Sequence, residues 1–348
     1  IPKRASSGAS DIRCILSKKT TDFGQKTFVF YPTQQPRNLS LTALTMNTLF
    51  VILGPTGVGK TDLSIDVALR LETSIVSCDS RQIYRELRIG VASPSALQLS
   101  KVRHHFIATR SIEEHYSAGQ FEADAIPVIE QEIAANSCAL MVGGSMLYID
   151  AVCKGIDDIP AIDDEIRTDV RRIYEEYGIE EVRRRLRLVD PQHYGEVDLR
   201  NVKRMLHALE VCYQTGRRFS EIRTNSVKQR SFKIVKIGVC LPRELLYERI
   251  NRRVNEMIEQ GLYQEAISVY DRRHLNALNT VGYKEIFLHI DGEYSLDRAI
   301  ELIQRNTRHY AKKQLSWFNG DPTIHWFLPD KTDEIWDFVD RCRSEQNT

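Results

Sequence analysis

The run Gly54-Pro-Thr-Gly-Val-Gly-Lys60-Thr61 constrains the fold of this chain more than any other segment. It fits G-x-x-x-x-G-K-[ST], a phosphate-binding turn that works only between a strand and a helix. Both neighbours are present. Leu49-Phe-Val-Ile-Leu53 is a short continuous apolar run, as a strand covered on both faces requires. In Asp62–Leu71, Leu63, Val67 and Leu71 stand four apart, on one face of a helix. The turn through Gly54, Pro55, Thr56, Gly57, Val58 and Gly59 directs consecutive backbone N–H groups inward. The helix behind it points its positive end at a bound anion. Lys60 adds a cation, and the Thr61 hydroxyl suits Mg²⁺, which keeps several waters and takes few protein ligands. Such a turn recognises a diphosphate, whatever is attached to it.

Further strands are expected at Ser74–Cys78, at Cys138–Val142 and at Phe232–Leu241, with a helix over Gln120–Ile133. Strands alternating with helices imply an α/β fold, here a P-loop NTPase-like parallel sheet flanked by helices. Between Asp163 and Arg223 only helical periodicity is found, and Thr215-Gly216 supplies a stop. The expected organisation is a P-loop core over 46–162, an all-helical insertion over 163–224, a return to the core with C-terminal helices over 225–320, and a tail over 321–348.

Composition narrows the class. A net charge of +1 gives no global pull toward nucleic acid, so any RNA-binding surface must be local. The insertion holds thirteen Lys/Arg against thirteen Asp/Glu, so composition alone does not make it an RNA arm. Arg183-Arg184-Arg185, next to Glu180 and Glu181, reads as an ordinary charged helix surface. No apolar run approaches the ~18–20 residues of a membrane helix, so no membrane association is expected. The seven cysteines are scattered, never Cys-x-x-Cys, which favours reduced thiols in a cytoplasmic setting and offers no zinc site. His104-His105 has no further ligands nearby and reads as loop packing rather than a metal site. Residues 1–45 carry seven Lys/Arg against two acids with many Ser and Thr. They read as an extension upstream of a start at Met46, or else as an organelle transit peptide.

The usual ATPase companion is missing. A hydrolase of this class wants an apolar strand ending in Asp to hold Mg²⁺, yet Ala139-Leu-Met-Val142 ends in Gly143-Gly144-Ser145. The strand-end acid near the loop is Asp79, at the carboxyl edge where α/β proteins bind ligands. Three roles remain open for it: assisting Mg²⁺, acting as a base toward an acceptor, or capping the next turn.

At this point the chain resembles the tRNA dimethylallyltransferase (tRNA isopentenyltransferase) family. The resemblance rests on the P-loop, on Ser77-Cys-Asp-Ser-Arg-Gln-Ile-Tyr84, and on Val142-Gly-Gly-Ser-Met-Leu-Tyr148. Lys203-Arg204-x-x-His207, Glu248-Arg-Ile with Arg253, Val281-Gly-Tyr283 and Arg308–Trp317 extend it from about Leu49 to Trp317. The resemblance implies transfer of a dimethylallyl group from dimethylallyl diphosphate to N6 of the adenosine just 3′ of the anticodon. It implies Mg²⁺ as cofactor, held through Thr61, and Asp79 as the base. Ser145, where the family usually has Thr, would donate to the leaving oxygen, and Arg253 would bind diphosphate with the P-loop. For the tRNA anticodon stem-loop, the matching residues are Asp79, Ser80, Arg81, Gln82, Ser145 and Arg167, then Lys203, Arg204, Met205, Leu206 and His207. Lys203 and His207 depart from the family's common Gln and Arg. His207 can equally be a neutral helix residue. Arg308 and Lys312, with Arg305, form a basic stripe on the C-terminal helix that reads as an RNA contact or as a solvated face. A monomer is expected.

Three other functions fit the same turn. An adenylate-type isopentenyltransferase would act on a free nucleotide, for which the long helical regions are superfluous. A small-molecule kinase would use Asp79 to activate a hydroxyl, and no lid arginine cluster is recognisable. A non-catalytic P-loop RNA-binding module would have no use for Asp79 and Ser145.

Overall fold

The computed structural model describes residues 47–224 and 226–344. The extension over residues 1–45 lies outside the described residues. The fold is organised by six parallel strands in the order β3-β2-β4-β1-β5-β6. These are β1 (Thr48–Leu53), β2 (Ile75–Ser77), β3 (His104–His105), β4 (Cys138–Gly143), β5 (Lys233–Val239) and β6 (Ile324–Phe327). Every residue of β1 and β4 is buried, as expected for strands covered on both faces.

The period of two along β1 sorts its side chains between two cores. Phe50 and Ile52 face α1 (Lys60–Leu71), α9 (Arg243–Glu259) and α13 (Thr332–Ser344). Leu49, Val51 and Leu53 face α3 (Ala118–Asn136) and α4 (Met146–Lys154), with Phe318 at the end of α12 (Leu296–Phe318). A third cluster joins Ile83, Tyr84 and Leu87 to α10 (Leu262–Ser268), α11 (Tyr283–Ile290) and Ile303 of α12.

The all-helical insertion has its own apolar cluster, built chiefly from α5 (Asp164–Val189) and α7 (Val202–Thr215). Asn201 caps α7 by accepting the Arg204 N–H, and Gly216 ends it in the left-handed region at φ 65°. Arg183, Arg184 and Arg185 pair with Glu180 and Glu181 on their own helix.

The stretch over 321–348 is expected from sequence to be a tail, and its described part, 321–344, contains a strand and a helix. Ile324–Phe327 pairs in parallel with Lys236–Val239, and Ile335, Val339 and Cys342 of α13 are buried against the sheet. Arg70 of α1 bonds Asp340 at 2.5 Å and lies 5.0 Å from the Trp336 ring. A four-residue edge strand with His325 inside it gives too short a pattern to read. His104-His105 likewise forms a two-residue edge strand, beside Ile75 and Val76. No helix among the described residues is long and apolar enough to cross a membrane.

Candidate active site

Strand register sets the site. Leu53 of β1 pairs with Gly143 of β4, and Ser77 of β2 pairs with Val142. Three chain segments therefore leave the sheet at one level: Gly54 onward, Cys78-Asp79, and Gly144-Ser145. They open at the carboxyl edge, where such sheets bind ligands, onto a cavity of about 970 Å³.

Thr56, Gly57, Gly59, Lys60 and Thr61 line this cavity, while Gly54, Pro55 and Val58 are buried beneath it. Gly59 starts α1 at φ 101°, a conformation that lets the turn swing into the helix without a Cβ penalty. The Lys60 ammonium donates to the carbonyls of Gly54 (3.0 Å) and Pro55 (2.9 Å). Burial pulls its pKa down to about 8, with nearby Arg253 acting the same way and Asp79 opposing. Thr61 lines the same space, and its carbonyl accepts from the Ser64 hydroxyl.

Asp79 lines the cavity beside Ser80, Arg81 and Gln82. Its Oδ1 accepts the backbone N–H groups of Arg81 (2.9 Å) and Gln82 (3.3 Å). Among the described residues no protein hydrogen bond reaches Oδ2. One oxygen thus holds the turn, which is the capping role weighed from sequence, and the residue lines the cavity. Thr61 shares this space, and a Thr hydroxyl suits Mg²⁺ with its waters. Ser145 does not line the cavity. Its hydroxyl accepts the Ser80 N–H at 2.8 Å and donates to Ser80 Oγ at 3.1 Å, tying the end of β4 to the Asp79 turn. The Gln82 amide is also turned inward, donating to the carbonyls of Val91 and Ala92.

Helix α9 supplies the opposing cations. Arg253 lines the cavity, and burial lowers its pKa against the attraction of Asp79. Adjacent Arg252 is exposed and pairs with Glu256 at 3.6 Å. Arg249, one turn earlier, covers the phosphate loop and donates to the Val58 carbonyl at 3.5 Å. Sequence reading gave Arg249 no role, although its i, i+4 spacing to Arg253 places both on one helix face.

Gln314 is the other residue that sequence reading missed. Almost fully buried on α12, it accepts the Thr56 N–H at 2.9 Å and donates to the Gly144 carbonyl at 2.8 Å. It bridges the phosphate loop and the end of β4. Its only advance sign is that a Gln sits on the apolar face of a helix rich in cations.

The remaining nominated residues lie away from the cavity. Lys203, Arg204 and His207 are exposed on α7, and His207 approaches Glu210 at 3.5 Å. Arg167 pairs with Asp164 on α5. Met205 is corrected from RNA contact to core: it has no exposed surface and sits inside the insertion's apolar cluster, with Leu206 packed against that cluster. A side chain so enclosed packs the insertion and touches no ligand. Lys312 and Arg305 are exposed on α12, whereas Arg308 bonds Asn251 at 2.5 Å and lies over Tyr247.

A phosphate cradle, an opposed carboxylate and half-buried arginines in one crevice define a P-loop α/β protein of the group-transfer type. Residues 82–321 match the family described as IPP transferase. The chain belongs to this family. It is 50% identical over 293 residues to a tRNA dimethylallyltransferase of Phocaeicola vulgatus, covering 84% of this chain and 98% of that relative. It is 45% identical over 295 residues to a tRNA dimethylallyltransferase of Christiangramia forsetii, covering 84% and 98%. Among solved structures it resembles the tRNA isopentenylpyrophosphate transferase of Bacillus halodurans, at 33% identity and TM-score 0.63, covering 86% of this chain and 98% of that one. A eukaryotic dimethylallyltransferase acting on tRNA shares the fold at 22% identity and TM-score 0.71, covering 86% and 80%.

Proposed function

We propose that the protein transfers a dimethylallyl group from dimethylallyl diphosphate to N6 of the adenosine 3′-adjacent to the anticodon in tRNA. The products are N6-dimethylallyladenosine and diphosphate. The observation that carries this reading is that Asp79, whose Oδ2 takes no protein hydrogen bond among the described residues, lines the same cavity as Lys60, Thr61 and Arg253.

The phosphate loop and Lys60 grip the diphosphate, and Arg253 and Arg249 cover it from α9. Thr61 would hold Mg²⁺, which would neutralise charge growing on the leaving group. N6 of the adenine attacks the allylic carbon, the carbon–oxygen bond breaks, and the electron pair leaves with the diphosphate. Asp79 takes the N6 proton, a step worth ~10²–10⁴-fold for a positioned base. Ser145 fixes Ser80 and so the Asp79 turn; donation to the leaving oxygen would require its hydroxyl to turn away from Ser80.

The target base belongs to a single-stranded loop, so extruding it disturbs less stacking than opening a duplex. Arg81 at the cavity, Lys203, Arg204 and His207 on the insertion, and Lys312 on α12 supply the tRNA surface. The protein acts as a monomer in the cytoplasm.

The test is incubation with dimethylallyl diphosphate, Mg²⁺ and either tRNA or AMP, followed by nucleoside analysis. Prenylated adenosine in tRNA is expected. Product on AMP alone, or phosphate transfer from ATP, would replace this reading with that of a nucleotide prenyltransferase or a kinase.

A further inference from the structure

The cavity wall away from the phosphate loop is held by an arrangement that the reaction above does not use. Glu265 of α10 accepts three successive backbone N–H groups: Arg88 (2.9 Å), Ile89 (2.8 Å) and Gly90 (2.9 Å). It also accepts the Tyr283 hydroxyl at 2.6 Å. These four donors use the full acceptor capacity of a carboxylate. From the other side, the Gln82 amide takes the carbonyls of Val91 (3.2 Å) and Ala92 (3.0 Å). The loop is closed on itself by Ala92 N–H to Ile89 O and Ser93 N–H to Arg88 O, both 2.9 Å. Tyr283 has no exposed surface, and its ring packs so tightly on Gly90 that a Cβ there would fall 2.6 Å from it.

The clamp positions two side chains. Ile89 and Val91 line the cavity and also pack on the C-terminal helical cluster. With Met257, Leu262, Val281 and Ile303 they are apolar lining of the cavity that also holds the phosphate loop and Arg253. A donor held by its diphosphate would find its apolar contacts among these side chains. The room left for the hydrocarbon depends on where Ile89 and Val91 stand; Glu265 fixes the backbone through Ile89 and Gly90, and Gln82 holds the Val91 carbonyl.

We propose that Glu265, with Tyr283 behind it, is a positioning residue that sets the length of hydrocarbon the donor site accepts, admitting a five-carbon allylic diphosphate and excluding a ten-carbon one. This rests on the prenyl-donor reading above. Apolar pockets discriminate by ~10–200-fold per methylene, so a shifted wall changes selectivity before it abolishes binding.

The test uses the full chain with tRNA and compares wild type with Glu265→Gln and Tyr283→Phe. Glutamine turns an amide donor toward the loop N–H groups, and phenylalanine removes one hydrogen bond while keeping the ring. Inhibition constants are measured for geranyl diphosphate and for inorganic diphosphate, alongside dimethylallyl turnover. In E265Q the geranyl constant is expected to fall about 5-fold or more relative to the inorganic diphosphate constant, and in Y283F about 2-fold. Inorganic diphosphate itself should bind unchanged. An unaltered ratio in Y283F, with wild-type turnover normal, would overturn the proposal even if E265Q failed to fold. So would parallel weakening of both inhibitors, which marks general damage. A wild type inactive with dimethylallyl diphosphate would overturn the donor reading and this proposal with it, a result distinct from an unaltered ratio in an active enzyme.

Discussion

Gln314 and Thr56 are 258 residues apart in sequence, yet the side chain of one accepts the backbone N–H of the other at 2.9 Å. The same amide donates to Gly144, so a single buried side chain sets the spacing between the phosphate loop and β4. Replacement by Ala would leave the part-buried Thr56 N–H and the buried Gly144 carbonyl unpaired, the carbonyl at about 1–3 kcal/mol. Gln314→Ala is therefore expected to lower the thermal midpoint by several degrees and to raise the donor KM several-fold more than the tRNA KM. Equal change in both constants in steady-state kinetics would reduce Gln314 to a general stabilising contact.

Asp79→Asn separates the two roles of that side chain. Asparagine keeps an oxygen for the Arg81 and Gln82 N–H groups, so the turn survives. It cannot accept the N6 proton. Turnover should drop by ~10²-fold or more while inorganic diphosphate binds as before. Calorimetric titration with diphosphate and single-turnover kinetics test the two halves, and near-normal turnover would remove Asp79 from its role as base.

The depressed pKa of Lys60, about 8 in the free protein, gives a pH signature. Below that value the group is an ammonium and attracts the anion; above it the amine is neutral. Affinity for inorganic diphosphate should weaken as pH rises from 7 to 9.5. Lys60→Arg stays charged throughout, so its profile should lack that loss. Superimposable pH profiles for the two proteins would show that Lys60 is not the titrating group.

The stripe on α12 divides by its contacts. Lys312 is exposed and Arg308 is engaged with Asn251 and Tyr247. Lys312→Ala should weaken tRNA binding and reduce the slope of log affinity against log salt by roughly 0.7–0.9, one phosphate contact, with little effect on stability. Arg308→Ala should also lower the melting temperature, because packing is lost along with charge. A salt slope unchanged in Lys312→Ala would assign this face to solvent.

The parts legible in the sequence are those with local, strong periodicity. The apolar run of β1, the glycines of the loop and the Leu63–Val67–Leu71 face each carry their own signal, and the parallel sheet follows from their order. Asp79 is visible because it ends a strand. What sequence does not disclose is where polar side chains are spent internally. Gln82 and Ser145 look like ligand contacts by position, and their hydrogen bonds run to Val91, Ala92 and Ser80. Met205 sits among candidate RNA contacts, and only helical phase separates it from Lys203 and Arg204. Gln314 and Glu265 act across long sequence distances on backbone atoms, which no residue pattern records.

The seam between α1 and α13 bears on how the molecule is assembled. Arg70 meets Asp340 across 270 positions of chain, and Ile335 and Val339 complete the cover over the same face of the sheet. During synthesis, the first helix after the phosphate loop must wait for the C-terminal helix before its apolar flank is sheltered. Contacts of such long range close slowly and leave a partly made chain sticky. Shortening the chain before residue 332 would then show itself as poor recovery of protein from cells, although every group assigned to the chemistry would still be encoded.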